Sequence, residues 1–217
     1  MNNEHSEHRG KGRPRAFDRD QALHAALELF WQEGYEPASV ARLCEVMDIK
    51  PPSLYASFGN KAALFLEAVR HYEVVYWQEP SERFLAEPDV YRAVEEFFAT
   101  SARILLSPET PCGCMLVLAA VNISPAETEI IEVIRKMRME TKAMFAERLS
   151  RAAADGQIPQ ETDIPALAGA LNALLEGLSL QARDGLSRAE LAGMAARAVH
   201  LLPPRAGAES REPATPA

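Results

Sequence analysis

The sequence predicts an all-α protein, with a small N-terminal three-helix unit joined to a larger helical domain. No segment sustains the period-two alternation of apolar and polar residues that marks a half-buried strand. Apolar residues instead recur at spacings of three and four, and proline, glycine and capping residues divide them into about nine helices. Residues 39–58 contain two short helical segments separated by a tight break, which is the pattern of a helix-turn-helix.

The chain begins with a polar segment that contains glycine and proline. We expect residues 1–16 to form a flexible basic arm. Basic residues dominate positions 9–19, with Asp18 as the one acidic residue there: Arg9, Lys11, Arg13, Arg15 and Arg19. Such an arm can enter the minor groove of DNA, or it can be a solvated tail, and both interpretations stay open. Because the whole chain has a net charge of −8, any affinity for DNA must come from a local basic patch.

The first strong helical segment follows this arm and is expected to brace the helix-turn-helix. Asp18 is a suitable N-cap, because its carboxylate can accept hydrogen bonds from free backbone N–H groups. Gly34 is a suitable end point. The apolar stripe of this helix consists of Leu23, Ala26, Leu27 and Phe30.

The helix-turn-helix itself is delimited by capping signals. Ser39 is predicted to cap a helix that runs to about Met47, and residues 48–50 form the turn. A second helix starts at Pro51, because prolines fit the first turn, where their missing N–H groups are not needed. This helix ends near Phe58, since Gly59 is a natural stop.

The second helix has a face suited to contact with DNA. Leu54 and Phe58 are four residues apart and are expected to point into a core. The residues left facing outward are small or carry a hydroxyl group: Ser53, Tyr55, Ala56 and Ser57. Such a surface can approach base edges and phosphates without steric conflict.

Residues 17–66 resemble the DNA-binding domain of the TetR family of bacterial transcriptional regulators. The resemblance rests on Ala26 to Phe30, Gly34-Tyr35, Ser39-Val40, Pro52 to Tyr55, Phe58 to Lys61 and Leu64-Phe65. The chain departs from the family where Asp48 replaces the usual glycine and where Lys50 replaces the Ser or Thr that often caps the recognition helix. Looser similarity continues at residues 113–116 and 176–183. The resemblance implies a ligand-responsive transcriptional regulator, most often a repressor.

The family pattern also implies which side chains contact DNA. It places Tyr55 and Lys61 on phosphates. From its position on the preceding helix, Arg42 is expected to reach the DNA backbone. Base edges are expected to face Pro52, Ser53, Ala56 and Ser57. The helix-turn-helix domain is therefore assigned to residues 17–62.

The remaining helices form the second domain, which is assigned to residues 63–202 and followed by a disordered tail at 203–217. The first runs from Asn60 to the region of Trp77 before Pro80 stops it, and in the family it joins the two domains. The others span residues 89–106, a short buried segment at 114–121, residues 125–156 starting at Pro125, residues 163–183, and residues 187–202.

Two partners are expected for this domain. One recognition helix contacts too few base pairs for sequence-specific binding, so we expect a homodimer on palindromic double-stranded operator DNA. The centre of the dimer interface is expected at Leu171, Leu175 and Leu178. A small, largely apolar effector is expected between the helices. Candidate residues lining its site are Phe97, Phe98, Met115, Asn122 and Met137.

The sequence gives weaker support for other functions. The pair Cys112 and Cys114 could make the chain a thiol- or metal-responsive regulator, although no further ligand lies near in sequence and the pair can also be core. A helical small-molecule-binding protein or enzyme, and an architectural DNA-binding protein, are further alternatives. No catalytic motif or cofactor site is recognisable, so we expect a protein that is not an enzyme and uses no cofactor or metal. The longest apolar run is too short to cross a bilayer, and the N-terminal residues do not form a signal peptide, so we expect no membrane contact. Three cysteines leave one unpaired under any disulfide scheme, which favours a reduced, cytoplasmic setting.

Overall fold

The computed structural model describes residues 18–119 and 122–205, and within them every regular element is a helix. The α-helices are α1 (Arg19–Glu33), α2 (Val40–Val46), α3 (Pro51–Phe58), α4 (Lys61–Tyr72), α5 (Gln78–Ala86), α6 (Val90–Leu105), α7 (Met115–Leu118), α8 (Thr128–Ala154), α9 (Ile164–Arg183) and α10 (Arg188–Ala195). A π-helix at Glu73–Trp77 and a 3₁₀-helix at Ala198–Leu201 complete the set. The predicted arm at 1–16 and most of the predicted tail lie outside the described residues.

The ends of the N-terminal helices are set by the capping residues that the sequence predicts. The Asp18 carboxylate accepts from the N–H groups of Asp20 and Gln21 at the start of α1. Ser39 accepts from Arg42 N–H at 3.1 Å, which starts α2. Asn60 accepts from Ala63 N–H at 2.8 Å, which starts α4. The predicted helix-turn-helix is confirmed in its element order and bounds.

The turn between α2 and α3 accommodates both departures from the family pattern. Asp48 has a φ of 51°, so an aspartate adopts the left-handed conformation that glycine adopts readily. Lys50 makes no side-chain capping bond to α3. That loss is small, because Pro51 and Pro52 have no N–H groups and Ser53 N–H already donates to the Lys50 carbonyl at 2.9 Å.

The helix that leaves the helix-turn-helix unit is longer than predicted. Helical backbone continues from α4 through the π-helix into α5, so the expected stop before Pro80 is wrong. In the π-helix, Gln78 N–H donates to the Glu73 carbonyl five residues back. This wider turn comes just before Pro80, whose ring would otherwise crowd the carbonyl four residues earlier. The change of hydrogen-bond register therefore lets the helical backbone continue through Pro80.

Two other helix bounds differ from the prediction. Helix α8 begins at Thr128 and not at Pro125, because residues 125–126 form a turn in which Glu127 N–H donates to the Ser124 carbonyl. The last predicted helix is divided into α10 and the 3₁₀-helix. There the chain tightens when Arg197 N–H donates to the Met194 carbonyl only three residues back.

The N-terminal unit is packed against the second domain through α1. Trp31 is 1 % exposed, and its indole N–H donates to the Gly113 carbonyl at 2.9 Å. Gly113 has a φ of 83°, and a Cβ there would lie 2.4 Å from Leu118 Cδ1. Tyr35 adds a backbone bond to the Ala119 carbonyl at 3.2 Å. These contacts hold the helix-turn-helix unit at a defined position on the larger domain.

None of the helices in residues 18–119 and 122–205 combines the length and the apolar character needed to cross a membrane.

Candidate DNA interface and ligand cavity

Helix α3 presents the outward face that its sequence predicts. Leu54 and Phe58 are buried at 0 % and 5 % exposure. Tyr55 is 50 % exposed, so it is available to a partner and is not part of the core. Of the other predicted contacts, Pro52 and Ala56 are exposed, and Ser53 and Ser57 are half-buried. The predicted residues of α3 thus share one accessible surface.

The two predicted basic contacts are engaged within the protein. Arg42 is exposed and forms an ion pair with Glu45 at 2.7 Å. Lys61 lies with its Nζ 4.4 Å from the centre of the Tyr35 ring and donates to the Glu36 carbonyl at 3.2 Å. Burial lowers the pKa of Lys61, although the nearby carboxylate of Glu36 opposes that shift. Both side chains must exchange partners to reach a phosphate.

Arg19 is a positioning residue that the sequence did not single out for this role. Its guanidinium lies 4.5 Å from the centre of the Phe58 ring and donates to the Ser57 carbonyl at 3.3 Å. It also forms a bidentate pair with Glu67, at 2.6 and 2.8 Å. Arg19 therefore ties the C-terminal end of α3 to α4. No local motif indicates this, because the partners lie 38 and 48 residues away.

A cavity of about 360 Å³ lies in the second domain between the π-helix, α5, α6, α8 and α9. This volume is in the usual range for a small-molecule site. Its apolar wall contains Trp77, Leu85, Phe97, Leu116, Val117, Met137, Met144 and Leu175. Its polar lining contains Glu73, Ser81, Cys114, Arg138, Glu140, Thr141, Asn172 and Glu176.

The cavity includes only part of the predicted effector set. Phe97 and Met137 line it. Phe98 does not, because it lies one position further round α6, is fully buried, and stacks on Phe145 at a centroid distance of 6.0 Å. Met115 is fully buried away from the lining, and Asn122 is exposed beyond it. Apart from Asn122, the predicted residues were apolar, and the acidic lining was missed, since carboxylates scattered over helices usually indicate solvated faces.

Glu73 is the most unusual polar group of the cavity. Burial raises the pKa of Glu73, the nearby carboxylate of Glu140 adds to the shift, and together they bring it to about 7. Within the described residues its carboxylate has no hydrogen bond or ion pair. Arg138 forms no ion pair with Glu73 within the described residues, and its guanidinium donates instead to the Leu116 and Val117 carbonyls at 2.8 and 3.2 Å.

The two cysteines of the predicted thiol or metal site differ in environment. Cys112 is exposed, whereas Cys114 is buried. Burial raises the pKa of the Cys114 thiol to about 11, so this thiol is protonated at neutral pH and is a weak nucleophile. Within the described residues, no three His, Cys, Asp or Glu side chains are grouped to hold a metal ion. These features give the sensor alternative little support.

Two family models match the chain in succession. The model described as "Bacterial regulatory proteins, tetR family" matches residues 22–68, which contain α2, α3 and most of α1. The model described as "Tetracyclin repressor-like, C-terminal domain" matches residues 91–198, which include most of the cavity wall.

Curated relatives and solved structures agree with these matches. The chain is 34% identical over 196 residues to the HTH-type transcriptional repressor ComR of Escherichia coli (strain K12), covering 90% of this chain and 93% of that protein. It is 30% identical over 187 residues to the repressor BdcR of the same organism, covering 86% and 90%. A cysteine mutant of the TetR family transcriptional regulator CifR, complexed with 26bp double-strand operator DNA, superposes with a TM-score of 0.84. That structure shares 40% identity over 88% of this chain and 100% of that chain. The predicted resemblance is confirmed, and the chain belongs to the TetR family of bacterial transcriptional regulators.

Proposed function

We propose that this chain is a repressor that binds double-stranded operator DNA as a homodimer and is released by a small molecule bound in the cavity of the second domain. CifR, the solved relative at 40% identity, is complexed with operator DNA. The exposed surface of α3 supports the same mode of binding here, with base edges facing Pro52, Ser53, Ala56 and Ser57. Phosphates would be contacted by Tyr55, Lys61 and Arg42.

The observation that carries the release mechanism is the rod formed by α4, the π-helix and α5. It begins at Lys61, beside the recognition helix, and its π-helix places Glu73 and Trp77 on the cavity wall. A ligand that contacts these residues can tilt the rod and change the spacing between the two recognition helices of a dimer. DNA fixes that spacing at one helical turn or a multiple of it, so a small shift weakens binding.

The dimer interface requires a correction to the sequence prediction. Leu171 and Leu178 are fully buried in the protomer, and Leu175 lies on the cavity wall at 9 % exposure, so they do not form an outer face. The exposed face of α9 instead carries small apolar residues and one leucine, at spacings of three and four: Ala166, Ala170, Ala173, Gly177 and Leu180. We assign the interface to this stripe, because such a surface allows two helices to approach closely.

Operator binding is the direct test of this function. The full chain would be titrated into labelled duplexes taken from the region upstream of its own gene and of its neighbours, at several salt concentrations. Specific binding to a palindromic site is expected, and a shuffled duplex of the same length is the control. Equal affinity for both duplexes at all salt concentrations would contradict a sequence-specific regulator.

The contacts assigned to DNA make separate predictions. Lys61→Ala is expected to weaken binding to all sequences alike and to reduce the salt slope by about one, because one phosphate contact is lost. Tyr55→Ala is also expected to weaken binding, whereas Ser53 and Ser57 variants should change sequence preference. Lys136→Ala, on the distant and exposed part of α8, is the matched charge control. Folded Tyr55→Ala and Lys61→Ala variants with unchanged operator affinity would disprove the assignment.

Release can be tested without knowing the natural effector. Compounds that raise the melting temperature would be found by thermal shift and then added to the operator titration. Linkage requires that a compound which lowers operator affinity is itself bound more weakly, by the same factor, when operator is present. Compounds that stabilise the protein yet leave operator affinity unchanged would contradict the coupling.

The same proposal covers catalysis and location. As a regulator of this family, the chain is proposed to act by binding alone, without catalysing a reaction or using a cofactor. It is proposed to work in the cytoplasm, where bacterial DNA is found.

A further inference from the structure

The polar lining of the cavity has an uneven charge. Three carboxylates line it, from the π-helix, α8 and α9: Glu73, Glu140 and Glu176. Among the described residues of the lining, Arg138 is the one basic side chain, and its guanidinium donates to two backbone carbonyls. The residues contributed by α5 and α6 are Ser81, Leu85 and Phe97, which carry no charge.

Of the three carboxylates, Glu140 and Glu176 each have a polar partner within the protein, whereas Glu73 has none among the described residues. Glu176 accepts from the Asn172 amide at 3.1 Å, and Glu140 lies 3.8 Å from the exposed Lys136. Glu73 has neither kind of contact within residues 18–119 and 122–205. Glu73 is half-buried, and the surrounding protein desolvates its carboxylate. A desolvated carboxylate without a partner is costly, and a bound cation would lower that cost.

An aromatic side chain lies on the same wall. Trp77 is buried, at 7 % exposure. Trp77 lies one turn after Glu73 and presents an aromatic surface to the cavity. Aromatic rings next to carboxylates form a favourable environment for ammonium groups, because the ring face attracts positive charge.

We propose that the cavity binds an organic cation, with its ammonium group beside Glu73 and Glu140 and its apolar body against Trp77, Phe97 and Met137. This rests on the proposed function and specifies the chemical class of the effector. A neutral compound would leave Glu73 unpaired, and an anion would be repelled by three carboxylates. The apolar wall favours a cation that carries an aryl or alkyl body and disfavours a small hydrated ion.

The test compares three ligands of similar size on the full chain by isothermal titration calorimetry. The cation is phenethyltrimethylammonium, whose charge does not titrate. Its neutral isostere is 3,3-dimethylbutylbenzene, in which carbon replaces nitrogen, and the anion is 4-phenylbutanoate. Each is measured at pH 6 and pH 8 with the wild-type chain, with Glu73→Gln and with Glu147→Gln. Glu147 is an exposed residue of α8 outside the cavity lining and serves as the matched control.

The expected result follows from the ionisation of Glu73. With a pKa of about 7, its carboxylate gains most of its charge between pH 6 and pH 8, so affinity for the cation should rise about 10-fold over that range. The other charged or titratable groups of the lining are Glu140, Glu176, Arg138 and Cys114, and the raised pKa of Cys114, about 11, keeps that thiol protonated over this range. Affinity for the neutral isostere should not rise with pH. Glu73→Gln should weaken the cation at pH 8 by about 10-fold and remove the pH dependence, whereas Glu147→Gln should match wild type.

Three outcomes would overturn the proposal. They are no binding of the cation at pH 8 up to millimolar concentration, stronger binding of the anion than of the cation, and the same affinity for the cation in wild type and Glu73→Gln. Operator titration in the presence of the cation is a separate measurement. A cation that binds as expected but leaves operator affinity unchanged would contradict the release mechanism while the ligand class stands.

Discussion

Asp48 shows how a single residue shapes the turn of the helix-turn-helix. Its φ of 51° lies in the left-handed region, which costs most side chains roughly 1–2 kcal/mol and glycine almost nothing. Aspartate tolerates this region better than most residues, so the turn forms despite the substitution. The residue that departs from the family pattern therefore keeps the backbone geometry that the pattern implies.

Replacing Asp48 with glycine should stabilise the domain. We expect Asp48→Gly to raise the free energy of unfolding by about 0.5–1 kcal/mol, because relief of the left-handed strain exceeds the entropy lost by glycine. Urea unfolding measures the change, and Asp48→Ala, which keeps a Cβ without the polar group, should be destabilising. A glycine variant no more stable than the alanine variant would contradict this account of the turn.

Glu73 makes a prediction about stability as well as binding. Its folded pKa of about 7 exceeds the ordinary value of 4.5, so the native state holds a proton that the unfolded chain has lost between these values. The contribution of Glu73 is therefore complete below about pH 4.5 and is lost as pH rises through 7. Glu73→Gln should raise the free energy of unfolding at pH 8 by up to about 3 kcal/mol relative to its effect at pH 4.5. Parallel pH profiles of wild type and variant, from denaturant unfolding, would contradict the burial of this carboxylate.

At the scale of the element, the rod from α4 to α5 connects the two functional sites. Its two faces differ at the π-helix: Glu73 and Trp77 line the cavity, whereas Val74 and Val75 are 61 % and 49 % exposed. The exposed side can therefore be changed without altering the cavity wall. That separation allows the stiffness of the rod to be tested apart from ligand contact.

Loosening the rod should weaken the coupling between ligand and DNA. Val75→Gly is expected to destabilise the local helix by about 1 kcal/mol relative to Val75→Ala. A more flexible rod absorbs part of the tilt, so the factor by which a ligand lowers operator affinity should fall several-fold in the glycine variant and persist in the alanine variant. Operator titrations with and without ligand give this factor, and equal factors in the two variants would show that rod stiffness is not used.

The elements also differ in how far they could be predicted from the sequence. Helix ends with a local chemical signal were predicted, because Ser39, Asn60 and Asp89 each accept from backbone N–H groups within three residues. The π-helix was not, since a shift of hydrogen-bond register leaves the apolar pattern of residues 60–77 unchanged. The cavity was predicted only at Phe97 and Met137, because its lining depends on how helices distant in sequence are oriented.

At the scale of the whole molecule, the DNA-binding unit and the cavity are connected by more than the rod. Trp31 donates to the Gly113 carbonyl, and Gly113 directly precedes Cys114 on the cavity wall. Arg183, at the end of α9, donates to the Gln32 carbonyl at 3.0 Å. A ligand can therefore act on α1 as well as on α4, and the N-terminal unit should move as one body.

Dimerisation determines whether such a movement affects DNA binding, because the operator responds to the distance between the two recognition helices of a dimer. Gly177 is the sharpest position at which to test the stripe on α9: a Cβ added there meets no atom of the described protomer within 4 Å. Gly177→Arg should therefore leave the protomer folded but place a long, charged side chain between the two helices that pack together at the dimer interface. We expect sedimentation to show monomers and operator affinity to fall by at least 10-fold, since one half-site contributes too little binding alone. Ala143→Arg, on the exposed surface of α8, is the control and should remain dimeric. A dimeric Gly177→Arg variant with full operator affinity would move the interface to another face of the molecule.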